Sequence, residues 1–143
     1  MRIVLALITS LLSLAAWAEQ VIESGPYRLH YMAMVTYDLP PEVAQAYGIT
    51  RSRKQGVAVL NLQHVDAPQV SVASSVSGRI RNLIGQERLD DLREVREQDA
   101  IYWIATFDFS HLETMRFDFQ IDPQGPHGPF PVHFSQQFYR PPR

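Results

Sequence analysis

The chain contains no cysteine. That excludes a disulfide framework, a thiolate metal site, a cysteine nucleophile and a lipidated N-terminal cysteine. It also lacks a large excess of either charge: 15 acidic residues stand against 13 basic ones, a formal net charge of −2. Such a balance argues against a nucleic-acid partner and against a solvated acidic tail. Catalytic signatures are missing too. No G-x-S-x-G elbow, no H-E-x-x-H or H-x-H spacing and no glycine-rich phosphate loop occurs in the 143 residues. The expectation is a protein that is not an enzyme, with a small hydrolase as the least favoured alternative.

Residues 1–18 carry the features of a secretory signal peptide. Arg2 supplies a positive start, Ile3 to Ala15 form an apolar run, and Ala16-Trp17-Ala18 places small residues around a cleavage point before Glu19. The apolar run is shorter than the roughly 20 residues that span a bilayer, so cleavage is favoured over a retained anchor. This divides the chain into a leader, 1–18, and one exported domain, 19–143, expected in the periplasm with no membrane span after cleavage. With no disulfides to help, that domain must be held by its core.

Beyond residue 19 the hydrophobic period is two. Leu29, Tyr31, Ala33 and Val35 alternate with His30, Met32, Met34 and Thr36. Met115, Phe117, Phe119 and Ile121 alternate with Arg116, Asp118 and Gln120, and Phe130, Val132, Phe134 and Phe138 repeat the pattern. Residues 56–65, at their start, and 101–109 are apolar on both faces, as in central covered strands. Residues 70–81 read as one further strand. The segment 87–98 suits a strand better than a helix, because Glu97-Gln98-Asp99-Ala100 reads as a tight turn into Ile101. Pro/Gly-rich loops, notably residues 122–129, punctuate the series. One exception is residues 40–48, where proline at a helix start and glycine just past its end mark a short helix. About seven strands with one short helix predict an all-β fold, an immunoglobulin-like antiparallel sandwich, with an open barrel as runner-up.

Several strings resemble a family of small bacterial envelope proteins known only as a domain of unknown function. They are His30-Tyr31, Leu39, Pro41-Glu42-Val43-Ala44, Tyr47 to Ser52, Ala100 to Ala105 and Phe134 to Tyr139. The resemblance spans essentially the whole domain. It implies a signal-peptide-bearing, periplasmic, immunoglobulin-like sandwich, and it implies no activity. This chain departs from the pattern at Met32 and Met34, where a polar residue and an aromatic are expected. A function resting on those methionines would belong to this member and not to the family.

Two constellations invite a functional reading. His30, Met32 and Met34 occupy alternate positions of a strand, so an imidazole and two thioethers share one face, a donor set suited to Cu(I). The plainer reading is core filling by an adaptable side chain. Tyr47, Arg51, Arg53 and Lys54 gather on a loop after the short helix and are the candidate contact surface for a protein partner of the cell envelope. Arg79 and Arg81 would share one strand face, as a solubilising rim or as an anion-docking patch. Asp90 and Asp91, as strand neighbours, would face opposite ways and so could not act as an acid/base pair. The leading expectation is a non-catalytic binding or accessory domain that needs no cofactor, with a periplasmic Cu(I)-binding protein as the alternative. A pilus-type chaperone ranks last, because that architecture resembles two sandwiches side by side.

Overall fold

The computed structural model describes residues 20–143, so the expected leader and its expected cleavage point lie outside the described residues. The elements run β1 (Gln20–Ser24), β2 (Tyr27–Val35), a single 3-10 turn (Thr36–Asp38), α1 (Pro41–Ala46), β3 (Gln55–His64), β4 (Ala67–Ser71), β5 (Ser75–Asn82), β6 (Leu89–Glu97), β7 (Ala100–Asp108), β8 (Glu113–Asp122) and β9 (Phe130–Phe138). All strand pairings are antiparallel. The larger sheet has the order β1-β2-β3-β7-β6 with β4 on the end of β3, and the smaller has the order β5-β8-β9. The two layers form the expected all-β sandwich.

Among the described residues, nine strands replace the seven read from the pattern. β1 was not anticipated, and residues 70–81 are two strands in different sheets. The chain leaves β4 after Ser71, and Val72 still donates to the carbonyl of Leu62 on β3. It then enters the smaller sheet as β5, opposite β8. A run of alternating side chains says which residues face inward, but not which sheet they face from. Residues 87–98 do contain a strand, β6, paired along its length with β7.

The core lies between the layers. Leu29, Tyr31, Ala33, Ala58, Leu60, Ala105 and Phe107 from the larger sheet meet Ile80, Met115, Phe117, Phe119, Ile121, Val132 and Phe138 from the smaller. Phe117 stacks on Phe134 at 4.5 Å and meets Phe107 edge-on at 5.2 Å. These are the offset and T-shaped arrangements that ring quadrupoles prefer. A smaller apolar cluster sits on the opposite, outer face of the larger sheet, where Leu39, Ala44 and Ile49 close over Val57 and Ile104. Pro41 opens α1, Tyr47 ends it, and Gly48 follows with φ +67°, a conformation that favours glycine. That short helix supplies the cover for the outer face.

Candidate functional site

His30, Met32 and Met34 all project from the outer face of β2, half-buried and alternating with the buried Leu29, Tyr31 and Ala33. Their register partners on β3 are Asn61, Val59 and Val57. α1 and the loop before it lie across this face, so Met32, Met34, Leu39, Val43, Tyr47 and Tyr102 enclose an apolar recess of about 210 Å³, floored by Val57 and Val59. A second recess of about 80 Å³ adjoins it, lined by His30, Met32, Val59, Asn61 and Tyr102. Met32, Val59 and Tyr102 belong to both, so the three candidate ligands form two overlapping pairs, His30 with Met32 and Met32 with Met34.

Tyr47 and Tyr102 close the recess, their rings 5.9 Å apart. Trp103, the neighbour of Tyr102 on β7, packs instead against the main core. One member of the Tyr102-Trp103 pair therefore serves each side of the sheet, as the alternation predicts. The Tyr47 hydroxyl donates to Glu97 Oε2 at 3.2 Å, and its backbone carbonyl accepts from Arg93. Burial of the Tyr47 phenol, followed by its hydrogen bond to Glu97 and the nearby negative charge, raises its pKa to about 12. The phenol therefore stays neutral at any physiological pH.

The rest of the loop is tied into the fold. Arg51 donates to the carbonyl of Tyr37 at 2.7 Å and its guanidinium sits 5.2 Å from the centre of that ring. Arg53 Nε donates to the carbonyl of Pro141 at 2.6 Å, so it holds the C-terminal segment against the loop. Ser52 exchanges hydrogen bonds with the fully buried Thr36: its amide donates to Thr36 Oγ1 at 2.8 Å, and its carbonyl accepts from that hydroxyl at 3.0 Å. Lys54 is exposed, while its backbone carbonyl accepts from Phe109. Of the four loop residues expected to form a contact surface, Tyr47 is thus the one that reaches the recess.

Asp90 and Asp91 correct an expectation. A bulge between Leu89 and Asp91 shifts the β6 register, so both carboxylates border one open recess of about 230 Å³ with Gln55, Arg93 and Thr106. Adjacent strand residues face opposite ways only where the pleat is regular, and a bulge removes that condition. Gln55 donates to Asp90 at 3.4 Å, and Arg93 lies 3.6 Å from Asp91. Asp91 thus faces a cation, while Asp90 accepts from a neutral amide. Among the described residues, no three histidine, aspartate or glutamate side chains gather as a metal site. A soft metal here would have to use the thioethers. The role of Tyr102 in both recesses was not legible from local spacing, because it arises from β7 lying beside β3.

A sandwich of two antiparallel sheets, with a short helix roofing an apolar recess on the larger one, defines the class. Within it, the chain belongs to the DUF4426 family, a domain of unknown function, whose pattern matches residues 21–141. A DUF4426 family protein from Pseudomonas aeruginosa PAO1 is 30% identical, with a TM-score of 0.74 covering 89% of this chain and 99% of that one. FetP from a uropathogenic Escherichia coli strain shares the fold at 12% identity and a TM-score of 0.57, covering 85% of this chain and 94% of its own. A copper-bound variant of FetP aligns similarly, at 12% identity and a TM-score of 0.56, over 84% and 94%. No curated protein matches the sequence. Among the described residues no helix is long and apolar enough to cross a membrane.

Proposed function

We propose that this chain is a non-catalytic binding domain of the bacterial periplasm, which receives an apolar side chain of a protein partner in the recess between α1 and the larger sheet. The carrying observation is that recess, with Met32, Met34, Tyr47 and Tyr102 around about 210 Å³ of space. Small-molecule sites usually enclose roughly 300–1,000 Å³, so this volume suits one or two side chains better than a whole metabolite. Methionine walls adapt to different shapes, and tyrosines give large rigid contact area at little entropic cost. Tyr47 joins the recess to the loop through Arg51, Arg53 and Lys54, which extends the contact surface with polar groups. The test is photo-crosslinking in the envelope from a probe at Val43, with Met32→Phe as the variant that fills the recess. One dominant crosslinked protein, lost in Met32→Phe with the melting temperature kept, is the expected result. A crosslink pattern unchanged by filling the recess overturns the reading.

A Cu(I) site is the second reading, favoured by the shared face of His30, Met32 and Met34 and by the fold likeness to a protein that holds copper. Copper titration under reducing conditions against a colorimetric chelator distinguishes the two. Stoichiometric copper, lost by orders of magnitude in Met32→Leu with Met34→Leu, supports it. No stoichiometric copper, or affinity unchanged in the double variant, rejects it.

A further inference from the structure

Among the described residues, half of the exposed large apolar side chains collect at one end of the smaller sheet. Leu83 and Ile84, 64% and 80% exposed, cap the turn after β5, and Leu112 and Tyr139, 52% and 56% exposed, occupy the neighbouring segments at the same end. Leu83, Ile84 and Leu112 border one shallow depression with Asn82 and Glu113. Gln137 donates to the carbonyl of Leu112 and accepts from the Tyr139 hydroxyl, which fixes Tyr139 beside them. The turn itself is firmly built. Asn82 is 3% exposed, its carboxamide nitrogen donates to Gln86 and Glu113, and its side-chain oxygen accepts from the Gln86 amide. A rigid turn that holds two aliphatic side chains in water costs free energy, unless something covers them.

The outer face of the same sheet gathers its arginines towards this end. Arg81 on β5 stands directly opposite Arg116 on β8, with Arg79 two residues away on the same face. Like charges placed directly opposite across a ladder repel. Asp118 lies 3.4 Å from Arg81 and 2.6 Å from His133. Glu87 lies 3.6 Å from Arg79, and Arg116 donates to the carbonyl of Asn82 at 3.4 Å. With Asp122 at the far end of β8, three arginines and a histidine thus share this face with three carboxylates, and towards the Leu83 end Arg116 is the arginine held by a carbonyl and not by a carboxylate. We infer that this end of the domain lies on an anionic phospholipid surface, with Leu83, Ile84 and Leu112 in the headgroup–acyl boundary and Arg81 and Arg116 against the phosphates. A protruding aliphatic pair flanked by cations is the chemistry of interfacial binding, and a bilayer accepts such a projection without a preformed hole. Tyr139 is an aromatic suited to the same boundary. This surface belongs to the smaller sheet and the recess to the outer face of the larger, so docking one leaves the other open to solvent.

The experiment is co-sedimentation of the chain as recovered after export, its N-terminus read by mass spectrometry so that no leader is present. Vesicles of phosphatidylglycerol with phosphatidylethanolamine are compared with vesicles of phosphatidylcholine. Binding to the anionic vesicles that weakens with salt is expected, falling about tenfold or more in Leu83→Ser with Ile84→Ser and also in Arg81→Gln with Arg116→Gln. Melting curves of both variants confirm the fold. Equal binding to phosphatidylcholine, no binding to anionic vesicles, or binding unchanged in both folded variants overturns the inference. So does a concentration-dependent dimer by light scattering that the Leu83→Ser, Ile84→Ser variant abolishes, because a second copy would then be the cover.

Discussion

Replacing Gly56 by alanine puts a methyl group where the Phe107 ring already lies. A Cβ at position 56 would stand 2.2 Å from Phe107 Cζ, 2.5 Å from Cε2 and 2.8 Å from Cε1. Carbon atoms in contact sit about 3.5–4.0 Å apart, so the ring would have to retreat by more than about 1 Å. It has nowhere to go. Phe107 is fully buried, with Phe117 and Phe138 edge-on to it at 5.2 and 5.0 Å. Overpacking of this kind costs about 1–3 kcal/mol. Alanine returns about 0.4–1 kcal/mol by narrowing the unfolded ensemble, since Gly56 has no left-handed φ that alanine would resist. The net expectation is a loss of about 1–2 kcal/mol, a sizeable part of a domain stability of about 5–15 kcal/mol. Urea unfolding followed by the fluorescence of Trp103, which packs on the same core, measures it directly. A double-mutant cycle isolates the cause. Phe107→Leu is destabilising alone, yet combined with Gly56→Ala it should give back about 1 kcal/mol of coupling, because each change relieves the other. A Gly56→Ala protein as stable as the parent, or strictly additive energies in the cycle, would refute the close-approach reasoning.

Two further perturbations probe the surroundings of the recess. Thr36→Val keeps the shape of a fully buried side chain but removes the hydroxyl that pairs with both the amide and the carbonyl of Ser52. The expected loss is about 1–3 kcal/mol in chemical denaturation, and a change below about 0.5 kcal/mol would mean that this link does not hold the loop. Tyr47 sets an alkaline limit. Its pKa rises from 10.0 unfolded to about 12 folded, so the fold favours the neutral phenol. The associated stability is complete below pH 10 and is lost as the pH climbs through 10 towards about 12. Stability-versus-pH curves of the parent and Tyr47→Phe should therefore diverge across that window, with the parent losing more. Parallel curves would show that the phenol ionises as freely in the folded state as in the unfolded.

The divide between local pattern and tertiary arrangement follows particular residues. Strand periodicity places every second side chain on one face whatever the partners are, because the pleat is a property of the backbone. The inward set Met115, Phe117, Phe119 and Ile121, the shared face of His30, Met32 and Met34, and the helix begun at Pro41 and followed by Gly48 were therefore all determined by the sequence itself. The family was legible for a related reason, since its strings at Pro41 to Ala44 and Tyr47 to Ser52 build the helix and loop that roof the outer face.

Only the tertiary structure decided what those faces meet. Residues 70–81 read as one alternation but change sheets between β4 and β5, which leaves Val70 exposed, and a bulge at Leu89 to Asp91 turns two neighbouring carboxylates into one recess. Arg53 reaches Pro141, 88 positions away, and Tyr102 joins Met32 because β7 pairs with β3. Period two is local geometry; a recess is a coincidence of segments distant in the chain. Its walls come from β2, α1, the adjoining loops, β3 and β7, and no window of sequence contains them together.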